Sequence, residues 1–353
     1  MSSSEPSAPS PVGRPRILVI RRDNIGDLVC TTPALAALRK HYPGGYIAAL
    51  VNTYNEPVLE GNPAVDAVYA YEKGKHRGES RSLLSTYADR LKLLARLRRE
   101  KFDYAILATP GFAPRSLRFA RLIAARHIVG YVEPGISHPR LDTALPYDGG
   151  TKRHEVEWVF ALVEALGVGG PPPPPRVFAD PAERRAIEQE LSCLGRGGPV
   201  VGVHVSARKR SQQWPADRFA SLIRAIAARG DVRFLLLWAP GDPANPRHPG
   251  DDDKARAVAQ GCGEVPVLAC PTTTLTRLIA ALSLCDSVVC ADGGAMHLAA
   301  ALGKPILCFF GDSAPERWRP WSTRHELLRP ESRDLKDLSV EQALAGFERL
   351  ARR

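Results

Sequence analysis

Five consecutive prolines, Pro171 to Pro175, close the stretch GVGGPPPPP, and no helix or central strand can run through them. Proline lacks a backbone N–H and has a fixed φ, so such a run stays extended and acts as a stiff spacer. The chain must therefore fold separately on either side of it. The expected division is a domain over residues 14–170, a linker over 171–175 and a second domain over 176–330. A C-terminal helix within 331–353 is expected to pack back on the N-terminal domain. Residues 1–13 are rich in Ser and Pro, without the basic start and apolar centre of a secretory signal, and read as a disordered tail. A length of 353 residues suits two domains of ordinary size.

Each side of the prolines alternates short apolar runs with amphipathic stretches. Before them, RILVI (Arg16 to Ile20), YIAALV (Tyr46 to Val51), Ala67 to Tyr71 and YAILA (Tyr104 to Ala108) read as buried strands. Helices are expected over Leu28 to His41, Leu83 to Arg99, Ser116 to Ala125 and His154 to Leu166, with apolar residues at helical spacing. After the prolines the pattern restarts. Strands are expected at Pro199 to Val205, Val232 to Trp238, Val265 to Leu268, Ser287 to Cys290 and Pro305 to Phe310. Helices are expected at Pro181 to Leu191, Ala216 to Arg229, Leu275 to Leu284, Ala295 to Leu302 and Ser339 to Arg353, and Asn245 to Lys254 reads as a surface loop. Strand–helix alternation in both halves is the signature of an α/β fold, here two doubly wound, Rossmann-like parallel sheets facing each other across a cleft.

Bulk properties narrow the function. No apolar run approaches the ~20 residues that a membrane span needs. The seven cysteines are scattered, none in a C-x-x-C pair, and read as reduced, buried thiols of a cytosolic protein; Cys262 and Cys270 lack the neighbours of a zinc site. The net charge of +10 is unevenly spread: residues 72–126 hold fourteen Lys/Arg against five Asp/Glu. That points to a surface facing anions. No RNA-binding or helix-turn-helix signature accompanies it, so nucleic acid is not expected as a partner.

Ligands of open parallel sheets bind beyond the carboxyl ends of strands, and four loops there carry candidates. The loop after RILVI reads Asp23-Asn24-Ile25-Gly26-Asp27. Gly26 permits a positive φ or a close backbone approach. Asp27 is either an N-cap of the following helix or, with Asp23 or Asn24 doing the capping, a carboxylate able to act as a base. After SVVC comes Asp292-Gly293-Gly294-Ala295-Met296-His297. Two glycines before a helix expose its first amides, a seat for phosphate. Asp292 suits a ribose hydroxyl or a cap, and His297 a phosphate or a buried bonded site. The loop from Ser206 to Gln213 brings Arg208, Lys209 and Arg210 to the end of a strand, where cations suit a diphosphate or simply face water. Gly311-Asp312-Ser313-Ala314-Pro315 follows the last strand, with Trp318 and Trp321 close in sequence, and reads as turn and packing residues.

Several motifs are missing. There is no G-x-G-x-x-G after the first strand, no G-x-x-x-x-G-K-[ST] and no G-x-S-x-G elbow, and outside the Asp-rich surface loop at Asn245 to Lys254 there is no D-x-D pair to hold a divalent ion on a diphosphate. Without such a metal, a leaving diphosphate has helix amides and cations to stabilise it.

Three segments in register, ILVIRRDNIGDLVCTTPAL, GVHVSARKRSQQWPADRF and VVCADGGAMHLAAALGKPILCFFGDSAPERWRP, resemble glycosyltransferase family 9, the ADP-heptose:lipopolysaccharide heptosyltransferases. The likeness runs from about Arg16 to Trp321. It implies a GT-B fold and an inverting transfer without metal or cofactor, with ADP-heptose as donor and the anionic Kdo/heptose inner core of lipopolysaccharide as acceptor. It further implies a cytoplasmic enzyme that touches the inner membrane surface. Residue by residue, the resemblance makes Asp27 the general base, beside Gly26. It assigns donor binding to Asp292, Gly293, Gly294, Ala295 and His297 and to the loop holding Ser206, Lys209 and Arg210. It assigns acceptor binding to Arg115 and Ser116, in GFAPRS. The family lysine two residues before the Trp-Pro pair is Gln212 here, a departure that leaves the donor's identity open. Two other readings stay open beside a heptosyltransferase: a relative using a different nucleotide-sugar or acceptor in cell-surface polysaccharide or glycoconjugate synthesis, and a nucleotide-binding protein without catalysis.

Overall fold

The computed structural model describes residues 13–71, 83–150, 152–195, 197–242 and 250–352. The chain forms two compact units that divide between Pro173 and Pro174, within the proline run. The expected tail lies almost wholly outside the described residues, as does the first part of the basic stretch, 72–82.

The first unit contains β1 (Arg16–Ile20), α1 (Ile25–Val29), α2 (Thr32–His41), β2 (Tyr46–Asn52), β3 (Ala67–Tyr71), α3 (Leu83–Arg99), β4 (Tyr104–Leu107), α4 (Pro114–Leu122), β5 (His127–Val132), β6 (Thr143–Pro146) and α5 (Glu155–Glu164). Its six strands are all parallel, in the order β3-β2-β1-β4-β5-β6. Helices cover both faces of such a sheet, which is why its central strands read as unbroken apolar runs. Ile17, Leu18, Val19 and Ile20 of β1 are buried, and Val19 sits in register with Ala49 on one side and Ile106 on the other.

The second unit contains α6 (Pro181–Leu191), β7 (Val200–His204), α7 (Ala216–Ala227), β8 (Arg233–Trp238), α8 (Asp252–Gly261), β9 (Val267–Pro271), α9 (Leu275–Leu284), β10 (Ser287–Ala291), α10 (Gly294–Ala301), β11 (Ile306–Phe309), α11 (Pro315–Trp318), β12 (His325–Leu328) and α12 (Val340–Arg352). Its parallel sheet runs β12-β11-β10-β7-β8-β9, the strand order of the first unit repeated. In each sheet the order reverses beside the first strand, between β1 and β4 and between β7 and β10. Loops leaving a sheet at such a point splay apart and open a crevice. The expected α/β class, two Rossmann-like units of the GT-B kind, is the one observed.

Several local expectations are corrected. The single helix expected over Leu28 to His41 is two. Pro33 has no N–H to give the Val29 carbonyl, which instead accepts from Thr32 Oγ1 at 2.8 Å, and α2 restarts there. Asp252 to Lys254, read as loop, begins α8: the Asp252 carboxylate accepts from Trp238 Nε1 at 2.7 Å and from the Gly241 N–H at 3.0 Å. The rest of that loop, 243–249, lies outside the described residues. Strands β5, β6 and β12 were not expected. β6 and β12 are half-exposed edges without a long apolar run, and β5 is interrupted by Gly130, where a Cβ would come within 3.2 Å of the Leu107 side chain. The C-terminal helix, expected on the N-terminal domain, belongs to the second unit, where α12 packs on β11, β12 and α7. Its Ala343 and Leu350 enter the same core as Phe219 and Phe309, and a Cβ at Gly346 would meet Leu307 Cδ1 at 2.9 Å. Among the described residues no disulfide joins the seven cysteines; six are buried, but Cys193 is exposed.

Candidate functional site

In the first unit the chemistry concentrates at the end of β1. Arg21, the first residue past the strand, is buried, and its side chain joins four elements. Its Nη1 donates to the Ala108 carbonyl beyond β4. Its Nη2 donates to Asp27 Oδ1 at 2.8 Å and to Glu155 Oε1, at the start of α5, at 2.6 Å. Its Nε lies 3.1 Å from Asp23 Oδ2, which also accepts from Thr109 Oγ1 at 3.1 Å. Burial opposes the charge on Arg21, but Glu155, Asp27 and Asp23 outweigh it and hold the guanidinium protonated well above its usual range.

Asp27 is buried in α1. Its second oxygen, Oδ2, accepts the backbone N–H of Asn24 at 2.8 Å, the helix-to-cap half of a capping box. Asp27 is thus the third residue of the helix rather than its cap. Gly26 has helical backbone rather than the left-handed conformation its type allows. The loop is pinned from β2 and the turn after it. Asn52 Nδ2 donates to the carbonyls of Arg22 and Asp23, at 2.7 and 3.0 Å, and Tyr54 OH donates to Asp23 O at 2.9 Å. Such bonding fixes where the Asp27 carboxylate sits without tying it to a mobile side chain.

Of the two expected acceptor residues, Ser116 is buried and takes a hydrogen bond from Arg22 Nη2 at 3.2 Å, while Arg115 is exposed in the first turn of α4. The Arg22 guanidinium lies 5.2 Å from the Tyr71 ring centre and 5.8 Å from that of Phe119.

In the second unit three strand ends converge. Gln212, buried in a short 3-10 turn after β7, donates from Nε2 to Asp292 Oδ2 at 2.8 Å and to Ser313 Oγ at 2.6 Å. Lys209 Nζ donates to the same Ser313 oxygen at 3.2 Å. These bonds tie the loops after β7, β10 and β11 together. Gly311 makes the junction possible, because a Cβ there would sit 2.2 Å from the Ser211 carbonyl oxygen. The departure at Gln212 therefore has a structural consequence: a neutral amide bridges Asp292 and Ser313.

Gly293 precedes α10 in extended conformation, and a Cβ on it would meet nothing within 4 Å, so the approach to the first amides of α10 is open. Gly294 and Ala295 form the first turn. His297 is buried one turn on, its ring edge-on to Trp318 at 5.9 Å. Two expected donor residues point elsewhere. Ser206 Oγ accepts the Ala239 N–H at 2.9 Å, linking the ends of β7 and β8. Arg210 is exposed and close to Asp334, whose carboxyl is held low by the Lys336 backbone N–H first, then by the Lys336 side chain and Arg210. Among the described residues no group of three or more His, Cys, Asp or Glu is placed to hold a metal ion.

Sequence reasoning missed Arg21, Glu155, Asn52 and Thr109, and read Ser313 as a turn residue. An arginine directly after a buried strand was the available signal for Arg21. Glu155 is far from it in the chain, and only the fold brings the two together.

Comparison with known proteins agrees with this architecture. Residues 90–346 match the sequence profile of glycosyltransferase family 9 (heptosyltransferase). The chain is 27% identical over 304 residues to lipopolysaccharide heptosyltransferase 3 of Escherichia coli, covering 84% of each chain. It superimposes on the crystal structure of a family 9 glycosyl transferase from Veillonella parvula with a TM-score of 0.81 at 22% identity, covering 95% of this chain and 97% of that one. With E. coli heptosyltransferase WaaC bound to ADP the TM-score is 0.75 at 20% identity, covering 95% and 99%. A profile match over well over half its length, on this architecture, means that the chain belongs to glycosyltransferase family 9.

Proposed function

We propose that the protein transfers a heptose, with inversion and without a metal, from ADP-heptose to an anionic lipopolysaccharide inner-core acceptor, with Asp27 as the general base. The observation that carries this reading is the buried Asp27 carboxylate, held by Arg21 and the Asn24 amide at the switch point of the first sheet. In this reading an acceptor hydroxyl gives its proton to Asp27 as its oxygen bonds to the anomeric carbon. The bond from that carbon to the diphosphate oxygen breaks, and its electron pair leaves with ADP. The first amides of α10, next to the open Gly293, and the Lys209 ammonium are the groups to stabilise the departing diphosphate. Relatives named as lipopolysaccharide and lipooligosaccharide heptosyltransferases support the choice of a heptose donor and that acceptor. The transfer written this way calls on no resident cofactor.

No described helix is long and apolar enough to cross a membrane. The exposed cations of α3 and α4, among them Arg90, Lys92, Arg98, Arg118 and Arg121, support peripheral contact with an anionic surface on the cytoplasmic side of the inner membrane. A second reading, a different nucleotide-sugar, is favoured by one observation, the Gln212 amide where the family has a lysine.

The test is Asp27→Asn assayed with ADP-heptose and heptose-free lipopolysaccharide core, in buffer with EDTA. Turnover lost with ADP binding retained supports the base; unchanged turnover removes Asp27 from the mechanism. A panel of ADP, UDP and GDP separates the two donor readings, since only ADP binds tightly in the first.

A further inference from the structure

We infer that Glu155 is a positioning residue for the transfer: by sharing the Arg21 guanidinium with Asp27, it keeps the base anchored while leaving it able to take a proton. This rests on the reading of Asp27 as base. Arg21 Nη1 donates to the Ala108 carbonyl and Asp27 is reached through Nη2, so the carboxylate is not gripped by two parallel N–H groups. One hydrogen of Nη2 goes to Asp27 and the other to Glu155, whose contact is the shorter at 2.6 against 2.8 Å. Among the described residues Asp27 therefore receives a single N–H from the cation, and its Oδ2 receives only the neutral Asn24 amide. Oδ2 is the oxygen whose remaining lone pair is less opposed by positive charge, and it is where the proton lands.

Glu155 is fully buried, and its placement is built. His154 caps α5 with Nδ1, accepting the Val156 N–H at 3.1 Å, and Glu157 Oε2 accepts the His154 N–H at 2.7 Å. That capping box sets Glu155 at the first helical position, over Arg21. A single carboxylate would already neutralise Arg21, and burying another on the same nitrogen costs desolvation that stability alone does not recover. The charged groups bonded to or facing Arg21 are Asp23 in the loop after β1, Asp27 in α1 and Glu155 in α5. Three carboxylates meet one guanidinium, so the cluster carries a formal charge of −2, and accepting the acceptor's proton relieves it. With Glu155 neutral the cluster starts at −1, and the same proton gains less.

The experiment compares Glu155→Gln, Glu155→Asp and Asp27→Asn with the wild type in the full chain. The variants are followed by thermal unfolding, ADP affinity and the pH dependence of kcat/KM with the substrates named above. Glu155→Gln is expected to bind ADP as the wild type does and to lose about tenfold to a hundredfold in kcat, the scale of a misplaced or mistuned catalytic group. The acid limb of its profile is expected at lower pH. Glu155→Asp, which keeps the charge, is expected to recover part of kcat and return the limb. Wild-type kcat and profile in Glu155→Gln, with Asp27→Asn inactive, overturn this inference and leave the base standing. An active Asp27→Asn overturns the base itself. If Glu155→Gln fails to fold, Glu155→Asp decides: a kcat below wild type with ADP binding and the limb unmoved supports the inference, and a wild-type kcat or a displaced limb overturns it.

Discussion

After β1 the first unit buries an arginine among three carboxylates; at the ends of β7, β10 and β11 the second joins its loops through a neutral glutamine amide and leaves Gly293 bare before a helix. The two sheets have the same strand order, so the contrast does not come from topology. In the proposed mechanism it comes from what each loop has to hold. A group that exchanges a proton must be fixed in position, and buried ion pairs fix it. A seat for a large leaving group needs donors that point outward and space in front of them, which glycine and helix amides supply. If this division of labour is right, changes in the first unit act on kcat and changes in the second on donor affinity.

The largest expected effect breaks that comparison most directly. Asp27→Asn should lower kcat by about 10²–10⁴-fold, the scale of a lost general base, with the ADP dissociation constant unchanged. A weakened ADP affinity in this variant would mean that the loop after β1 also binds the donor. Next is Gly311→Ala. The new Cβ would lie 2.2 Å from the Ser211 carbonyl, and backbone cannot yield there without moving the Gln212 turn. The variant should lose about 1–3 kcal/mol in denaturant unfolding, the usual scale of overpacking, and bind ADP more weakly. Smaller still is Gln212→Ala, which leaves Asp292 Oδ2 without its amide donor and unties the loop after β7 from Ser313. An ADP dissociation constant raised about tenfold, close to 1.4 kcal/mol, is expected by calorimetry. An unaltered value would show that the amide serves only the fold.

These residues also show how far a sequence can be read. The central strands were legible because parallel strands buried on both faces are continuous apolar runs, and the proline run marked the division of the chain. The edge strands β6 and β12 were not, because half-exposed edges carry no such pattern. In the candidate site, Asp27, Gln212 and Asp292 stand in recognisable local motifs. Arg21 and Glu155 are 134 positions apart, and nothing in either neighbourhood announces the other; the pairing exists only once α5 is laid beside β1. A buried charge network is a product of tertiary packing, which periodicity and turn chemistry do not encode.

The end of β7 extends the contrast to titration. Arg21, just past β1, is kept charged by carboxylates, whereas His204, the last residue of β7, is kept neutral. Burial pushes its imidazole down to about 4, and the neighbouring Lys254 ammonium pushes the same way, against a weaker contact with the Ser206 backbone. Lys254 is itself lowered, by burial first, with Asp251 opposing; its Nζ donates to the Val205 carbonyl at 2.8 Å. Because the folded value of His204 lies below the ordinary 6.5 of an unfolded chain, the unfolded state binds the extra proton between those limits. Above pH 6.5 both states are neutral at this residue and its contribution to stability is flat. As pH falls from 6.5 to about 4 the unfolded state is favoured progressively, and below that the loss is complete. Urea unfolding of wild type and His204→Gln across this range should show the wild type losing stability faster as the solution is acidified, with the two curves parallel above neutrality. Curves parallel throughout would mean that His204 takes up its proton in the folded state as readily as in the unfolded one. The end of β7 would then be open to a charge that the end of β1 admits only with partners.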